Sequence, residues 1–179
     1  LISILRCSWL TALMHVGALA LYVLGTMSTV VLPHLFGWDM RRVCPLIDAL
    51  CAVVLVFLPV DMPVILSLYP IFFAMSVQWS SFTGAQDHIS STIFSTNNTK
   101  QASLSLARHL CFREKGQLRR MWFYISTILC FHVGAAIAYF SAQWLELSSS
   151  LCALPLIALA YYMVVCEERY TQSQADAPV

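Results

Sequence analysis

A chain of 179 residues that is 59% hydrophobic and 11% charged has too little polar side chain to cover a soluble globule of its length, which places it in a lipid bilayer. A formal charge of +1, with no basic stripe interleaved with aromatic residues, sets nucleic-acid binding aside. The seven cysteines, Cys7, Cys44, Cys51, Cys111, Cys130, Cys152 and Cys166, form no C-x-x-C pair and fall mostly in apolar runs, so they read as small packing residues; no metal and no cofactor is expected.

In chain order, Leu1 to Leu5 read as the middle of an apolar run, without a cleavable signal, so an upstream segment is expected. A bilayer core of about 30 Å takes roughly 20 apolar residues per helix. Five segments approach that length: Leu5 or Trp9 to Leu32, Val43 to Leu58, Met62 to Trp79, Met121 to Gln143, and Ser150 to Cys166. Pro59 and Pro63 mark a tight turn between the second and third. A polar, basic loop spans about 80–120. Within it Ser90 to Thr99 is dense in Ser, Thr and Asn, and two readings stay open. Either Gln78 to Asn98 re-enters the membrane as non-helical backbone lining a cavity, or Asn97 or Asn98 caps a cytoplasmic helix through Ser103 to Phe112. The stretch Arg113 to Arg120 reads as a solvated, topology-fixing loop beside anionic headgroups. Thr171 to Val179 is polar, and a disordered tail is expected.

All five tryptophans, Trp9, Trp38, Trp79, Trp122 and Trp144, fall at the ends of these segments, as an interfacial belt requires. Arg41 and Arg42, the six Lys and Arg between Lys100 and Arg120, and Arg169 share one side; only Arg6 lies opposite. Lys and Arg are retained in the cytoplasm, so the long loop and the C-terminus are expected there, in a bacterial inner membrane.

The octet His15-Val16-Gly17-Ala18-Leu19-Ala20-Leu21-Tyr22 returns as His132-Val133-Gly134-Ala135-Ala136-Ile137-Ala138-Tyr139, and Pro45-Leu46-Ile47 returns as Pro155-Leu156-Ile157. The charge rule gives the two octets opposite directions, and an inverted pair needs an odd number of spans per repeat. The expected architecture is therefore an all-α, polytopic transmembrane helical bundle of five spans, drawn from a three-plus-three inverted repeat. Residues 1–60 hold a partial first repeat with two spans and residues 61–170 the second with three.

The stretch Tyr69-Pro70-Ile71-Phe72-Phe73-Ala74-Met75-Ser76-Val77-Gln78-Trp79, followed by Ser91-Thr92-Ile93-Phe94-Ser95-Thr96-Asn97-Asn98, resembles the YoaK-like family of uncharacterised bacterial multi-pass membrane proteins. The resemblance covers nearly the whole chain. It implies an earlier span ending in a Thr-x-Asn-Leu-like motif, and it brings no catalytic residues with it.

Asp48 is the one acid well inside a span, where an ionised carboxylate is costly unless paired, hydrated or protonated. It reads either as an ion or proton site facing a cavity, or as an interfacial acid bonded to a neighbouring helix or to Arg41 or Arg42. His15 and His132 can relay protons or bond across helices. The small residues around them favour packing: Ser126, Cys130, Gly134 and Ala138 form one stripe, and Gly17, Gly25 and Thr29 a looser one. Gln78, Ser95, Thr96, Asn97 and Asn98 are candidates for binding a polar solute. No hydrolase, metalloprotease or phosphate-loop motif appears, so no enzyme is expected. The readings are a transporter or channel for a small polar solute or ion, and a non-transporting subunit or scaffold that binds lipid or a partner membrane protein, homo-oligomers included.

Overall fold

The computed structural model of the chain describes residues 9–59, 61–82, 84–85, 88–89 and 95–175. Arg6 and Cys7, Ser90 to Phe94, and the last four residues of the expected tail lie outside these.

Helix α1, Trp9–Phe36, is 28 residues of mainly Leu, Ala, Val and Met. It ends where Gly37 takes a left-handed φ of +66° and returns its N–H to the Pro33 carbonyl at 2.9 Å. Asp39 then caps α2, Met40–Val56, its carboxylate accepting from the Arg41 N–H at 2.8 Å. The turn expected between Pro59 and Pro63 is present, with the Met62 N–H donating to the Pro59 carbonyl at 3.1 Å. Helices α3, Val64–Ser67, and α4, Tyr69–Ser81, follow. Backbone bonds from Leu68 to Val64 and from Phe72 to Leu68 carry the ladder between them. Pro70 has no N–H to offer Leu66, which explains the break.

Gly84–Ala85 and His88–Ile89 form a two-residue antiparallel ladder, β1 and β2. Helix α5, Ser95–Phe112, occupies the region read as a polar loop. It begins eight residues before the expected Ser103, so Ser95, Thr96, Asn97 and Asn98 form a helical first turn and not a non-helical segment. Helix α6, Gln117–Leu145, leads at Glu146, φ +49°, into a 3-10 helix, Glu146–Ala153, in place of the loop expected over Gln143 to Ser149. Helix α7, Leu154–Ala175, runs past the expected start of the tail at Thr171, whose hydroxyl donates back to the Glu167 carbonyl at 2.9 Å.

The chain divides into two compact units, one of Leu1–Ser81 with Trp144–Val179 and one of Phe82–Gln143. In the first, α1 packs on α3 and α4, while α2 packs on α4, on α7 and on the 3-10 helix. Gly17 lies against Tyr69 and Gly25 against Phe73 and Ser76, so α1 and α4 run parallel. Arg41 pairs with Glu167 while the Ala52 carbonyl accepts from Ser150, so α2 and α7 run antiparallel. The buried side chains here are mostly small, among them Ala18, Cys44, Cys51, Ala52, Ala74, Ser76 and Val77, joined by Met40, Leu55 and Val164. In the second unit Ala102, Met121 and Tyr124 form the core, flanked by Phe123 and Ile125.

Among the described residues two stretches are long and apolar enough to cross a membrane, Trp9–Phe36 and the run Gln117–Ser173. Both expose large apolar side chains, among them Leu13 at 67%, Val30 at 72% and Phe140 at 65%, which is the wrong surface for water and the right one for hydrocarbon. Helix α2 has 17 residues, about 25 Å at 1.5 Å per residue, and α4 has 13.

Candidate functional site: a carboxylate on the packed face of α2

Cys44, Asp48, Cys51, Ala52 and Leu55 recur at the three- and four-residue intervals that place side chains on one helix face. That face is the packed one: Cys44 is fully buried, Cys51, Ala52 and Leu55 are buried, and Asp48 is half-buried. Because α2 begins at Met40, Asp48 is the ninth of its 17 residues, at mid-length rather than near the polar end. Among the described residues its hydrogen-bond partner is the Cys44 thiol, which donates to Oδ2 across 3.8 Å. A thiol is a weak donor, so the carboxylate keeps most of its accepting capacity for a proton, a cation or a solute hydroxyl.

The two arginines expected among its partners face another element. Arg41 donates to Glu167 at 2.5 Å and Arg42 pairs with Glu168, closing a double ion pair between the start of α2 and the last third of α7. Glu168, by hydrogen bond and by charge, holds the Arg42 guanidinium above its ordinary range. At the other end of α2 the hydroxyl of Ser150, in the 3-10 helix that leads into α7, donates to the Ala52 carbonyl at 2.7 Å. The Glu167-Glu168 doublet was the available sequence signal, since it mirrors Arg41-Arg42 at the ends of two short apolar segments.

Gln78 is half-buried on α4, in the same unit as Asp48. Ser95, Thr96, Asn97 and Asn98 belong to the other unit; Thr96 and Asn97 are exposed, Ser95 is half-buried, and Asn98 is buried in line with Ala102 and Ser105.

The two duplicated histidines are exposed and make the same local bond: His15 Nδ1 lies 2.7 Å from the Thr11 carbonyl and His132 Nδ1 lies 2.8 Å from that of Ile128. With Nδ1–H donating to the turn below, Nε2 is left as an outward acceptor. Gly17 and Gly25 line the seam with α4. A Cβ at Gly17 would strike the Tyr69 hydroxyl, which donates to the Met14 carbonyl at 2.7 Å, and one at Gly25 would strike Ser76 Oγ and lie 2.7 Å from the Phe73 carbonyl. Tyr69 and Ser76 are the seam residues that sequence reading passed over; an aromatic hydroxyl inside an apolar segment was the signal for the first. On α6, Ser126, Cys130 and Ala138 are exposed, and a Cβ at Gly134 would meet nothing within 4 Å. Among the described residues no group of three or more His, Cys, Asp or Glu stands ready for a metal ion.

A family model described as a protein of unknown function (DUF1275) matches residues 2–165. No curated protein and no solved structure matches the chain.

Proposed function

The chain belongs to the DUF1275 family, and from the setting of Asp48 we propose that it is a multi-pass protein of the bacterial inner membrane that passes a small polar solute or ion, with the Asp48 carboxyl as its coupling group. The observation that carries this reading is an acid at the middle of a helix, on its packed face, with a weak thiol donor beside it. An intramembrane carboxylate so placed is expensive to keep unless it exchanges a proton or holds a cation. The parallel run of α1 and α4 and the antiparallel run of α2 and α7 agree with the directions that Lys and Arg placement assigns to those segments. Five spans of a three-plus-three inverted repeat, with the C-terminus cytoplasmic, complete the proposed architecture, and the YoaK-like resemblance is compatible with it.

The test is solute uptake into proteoliposomes under an imposed proton gradient, across a panel of small polar solutes. Wild-type protein is expected to accumulate at least one of them, and Asp48→Asn to lose on the order of tenfold or more of that rate, the size of effect expected for a group that exchanges the coupling ion. Equal rates for the two proteins would remove Asp48 from the mechanism. No uptake of any solute by folded wild-type protein would remove transport.

A second reading is favoured by a different observation. The open space over Gly134, beside Ser126, Cys130 and Ala138, suits a close helix–helix contact with another membrane protein or a second copy. Under it Gly134→Leu dissociates the assembly in cross-linking experiments, while Asp48→Asn leaves the assembly intact.

A further inference from the structure

Helix α5 has two unlike faces. Asn98, Ala102 and Ser105, at intervals of four and three, are buried. Opposite them Lys100, Leu104, Ala107 and Cys111 form an exposed stripe at intervals of four, three and four, flanked by Leu110 at 68% exposure, while Phe112 ends the helix seven residues beyond Ser105. The charge around this stripe is nearly all of one sign: from Ser95 to Arg120 there are six Lys or Arg and one acid, Glu114. That acid already accepts from the Gln117 amide at 2.7 Å. The basic run continues through Arg113 and Lys115 into the first turn of α6, where the Arg120 guanidinium lies 5.9 Å from the centre of the Tyr124 ring, immediately before the long apolar part of that helix.

We infer that the outer face of α5, with the basic turn that follows it, lies on an anionic phospholipid surface, Leu104 and Leu110 entering the headgroup boundary while Lys100, Arg108, Arg113 and Lys115 meet the phosphates. The combination decides the partner. A basic surface alone would serve nucleic acid equally well, but large exposed aliphatic side chains between the charges fit a helix lying in the interface, where they need acyl chain and the charges need anionic headgroup. The position immediately before an apolar helix is where such a segment meets the membrane that the helix enters. The inference rests on the membrane reading above and adds to it a lipid class and a binding face.

The experiment is hydrogen exchange of the full-length chain in nanodiscs of phosphatidylcholine alone and of phosphatidylcholine with about 30% phosphatidylglycerol, a charge density of the order found on anionic leaflets. Amides of residues 104–112 are expected to exchange roughly tenfold more slowly in the anionic discs, and the difference is expected to fade at high salt. The variant Lys100→Glu, Arg108→Glu, Arg113→Glu, Lys115→Glu should lose the difference while α1 and α6 keep their protection, which shows that the protein is still folded and inserted. Equal exchange of α5 in the two lipids would overturn the inference and leave the membrane reading standing. Protection of α5 by an RNA oligonucleotide, with none from anionic lipid, would overturn it in favour of a nucleic-acid surface. A chain stripped from membranes by alkaline carbonate would overturn both.

Discussion

The two copies of the His-Val-Gly-Ala octet carry nearly the same side chains and sit in different surroundings. In the first, the glycine edge is occupied: Tyr69 closes over Gly17, and about two turns on, beyond the octet, Ser76 with the Phe73 backbone closes over Gly25. In the second, the corresponding edge at Gly134 is open. Both histidines nevertheless make the same bond to the carbonyl four residues back. A local motif thus fixes local geometry, the histidine turned along its own helix, while what the glycine is for depends on the partner the rest of the chain supplies.

That contrast can be broken directly. Gly25→Ala is expected to have the largest effect, because one of the atoms in the way is backbone and cannot rotate aside; a loss of about 2–3 kcal/mol, read as a lowered midpoint of thermal unfolding in detergent, is the overpacking cost. Gly17→Ala displaces a side-chain hydroxyl instead and ends its bond to Met14, for about 1–2 kcal/mol, and pairing it with Tyr69→Phe should recover part of the loss. Ser150→Ala, which removes the bond to the Ala52 carbonyl, should cost about 1 kcal/mol in the same assay. Gly134→Ala should be neutral or stabilising by up to about 1 kcal/mol, since it gains helix propensity and meets no obstacle. A loss at Gly134 matching that at Gly17 would show that the second octet is as closely packed as the first.

Much of the first unit was legible because its signals are about length and charge. The apolar runs gave α1, α2 and the α3–α4 pair to within a few residues, the Pro59 and Pro63 turn followed from proline geometry, and Trp9, Trp38, Trp79, Trp122 and Trp144 are all exposed at 38% or more. Helix α5 was missed as a whole element starting at Ser95 because its packed face is made of Asn98, Ala102 and Ser105. A face of small and polar residues leaves no hydrophobic period to read, and Ser, Thr and Asn favour turns and caps when propensity alone decides. The polar end of α7 hid for a related reason: Thr171 to Ala175 look like a tail until the helix before them supplies the turn they continue. At the candidate site, the residue type of Asp48 was readable but its depth was not, because the two arginines that seemed to end the segment are inside the helix and bonded elsewhere. Pairing across 126 residues is invisible to any window along the chain.

The pinning of α2, at its start to α7 and near its end to the 3-10 helix that precedes α7, has a consequence for biosynthesis. The ion pairs that hold the start of α2 join residues 126 positions apart in the chain, so they cannot form until the ribosome has released the segment beyond Glu168. Helix α2 carries two arginines and an aspartate in 17 residues, a poor candidate for entering hydrocarbon unassisted. It is a late joiner: the first unit is opened by residues 9–81 and closed by α7, with the whole 82–143 unit synthesised in the interval. A nascent chain halted near residue 150 should therefore hold α2 loosely, open to proteolysis or to capture by an insertase, and only completion of α7 should lock it.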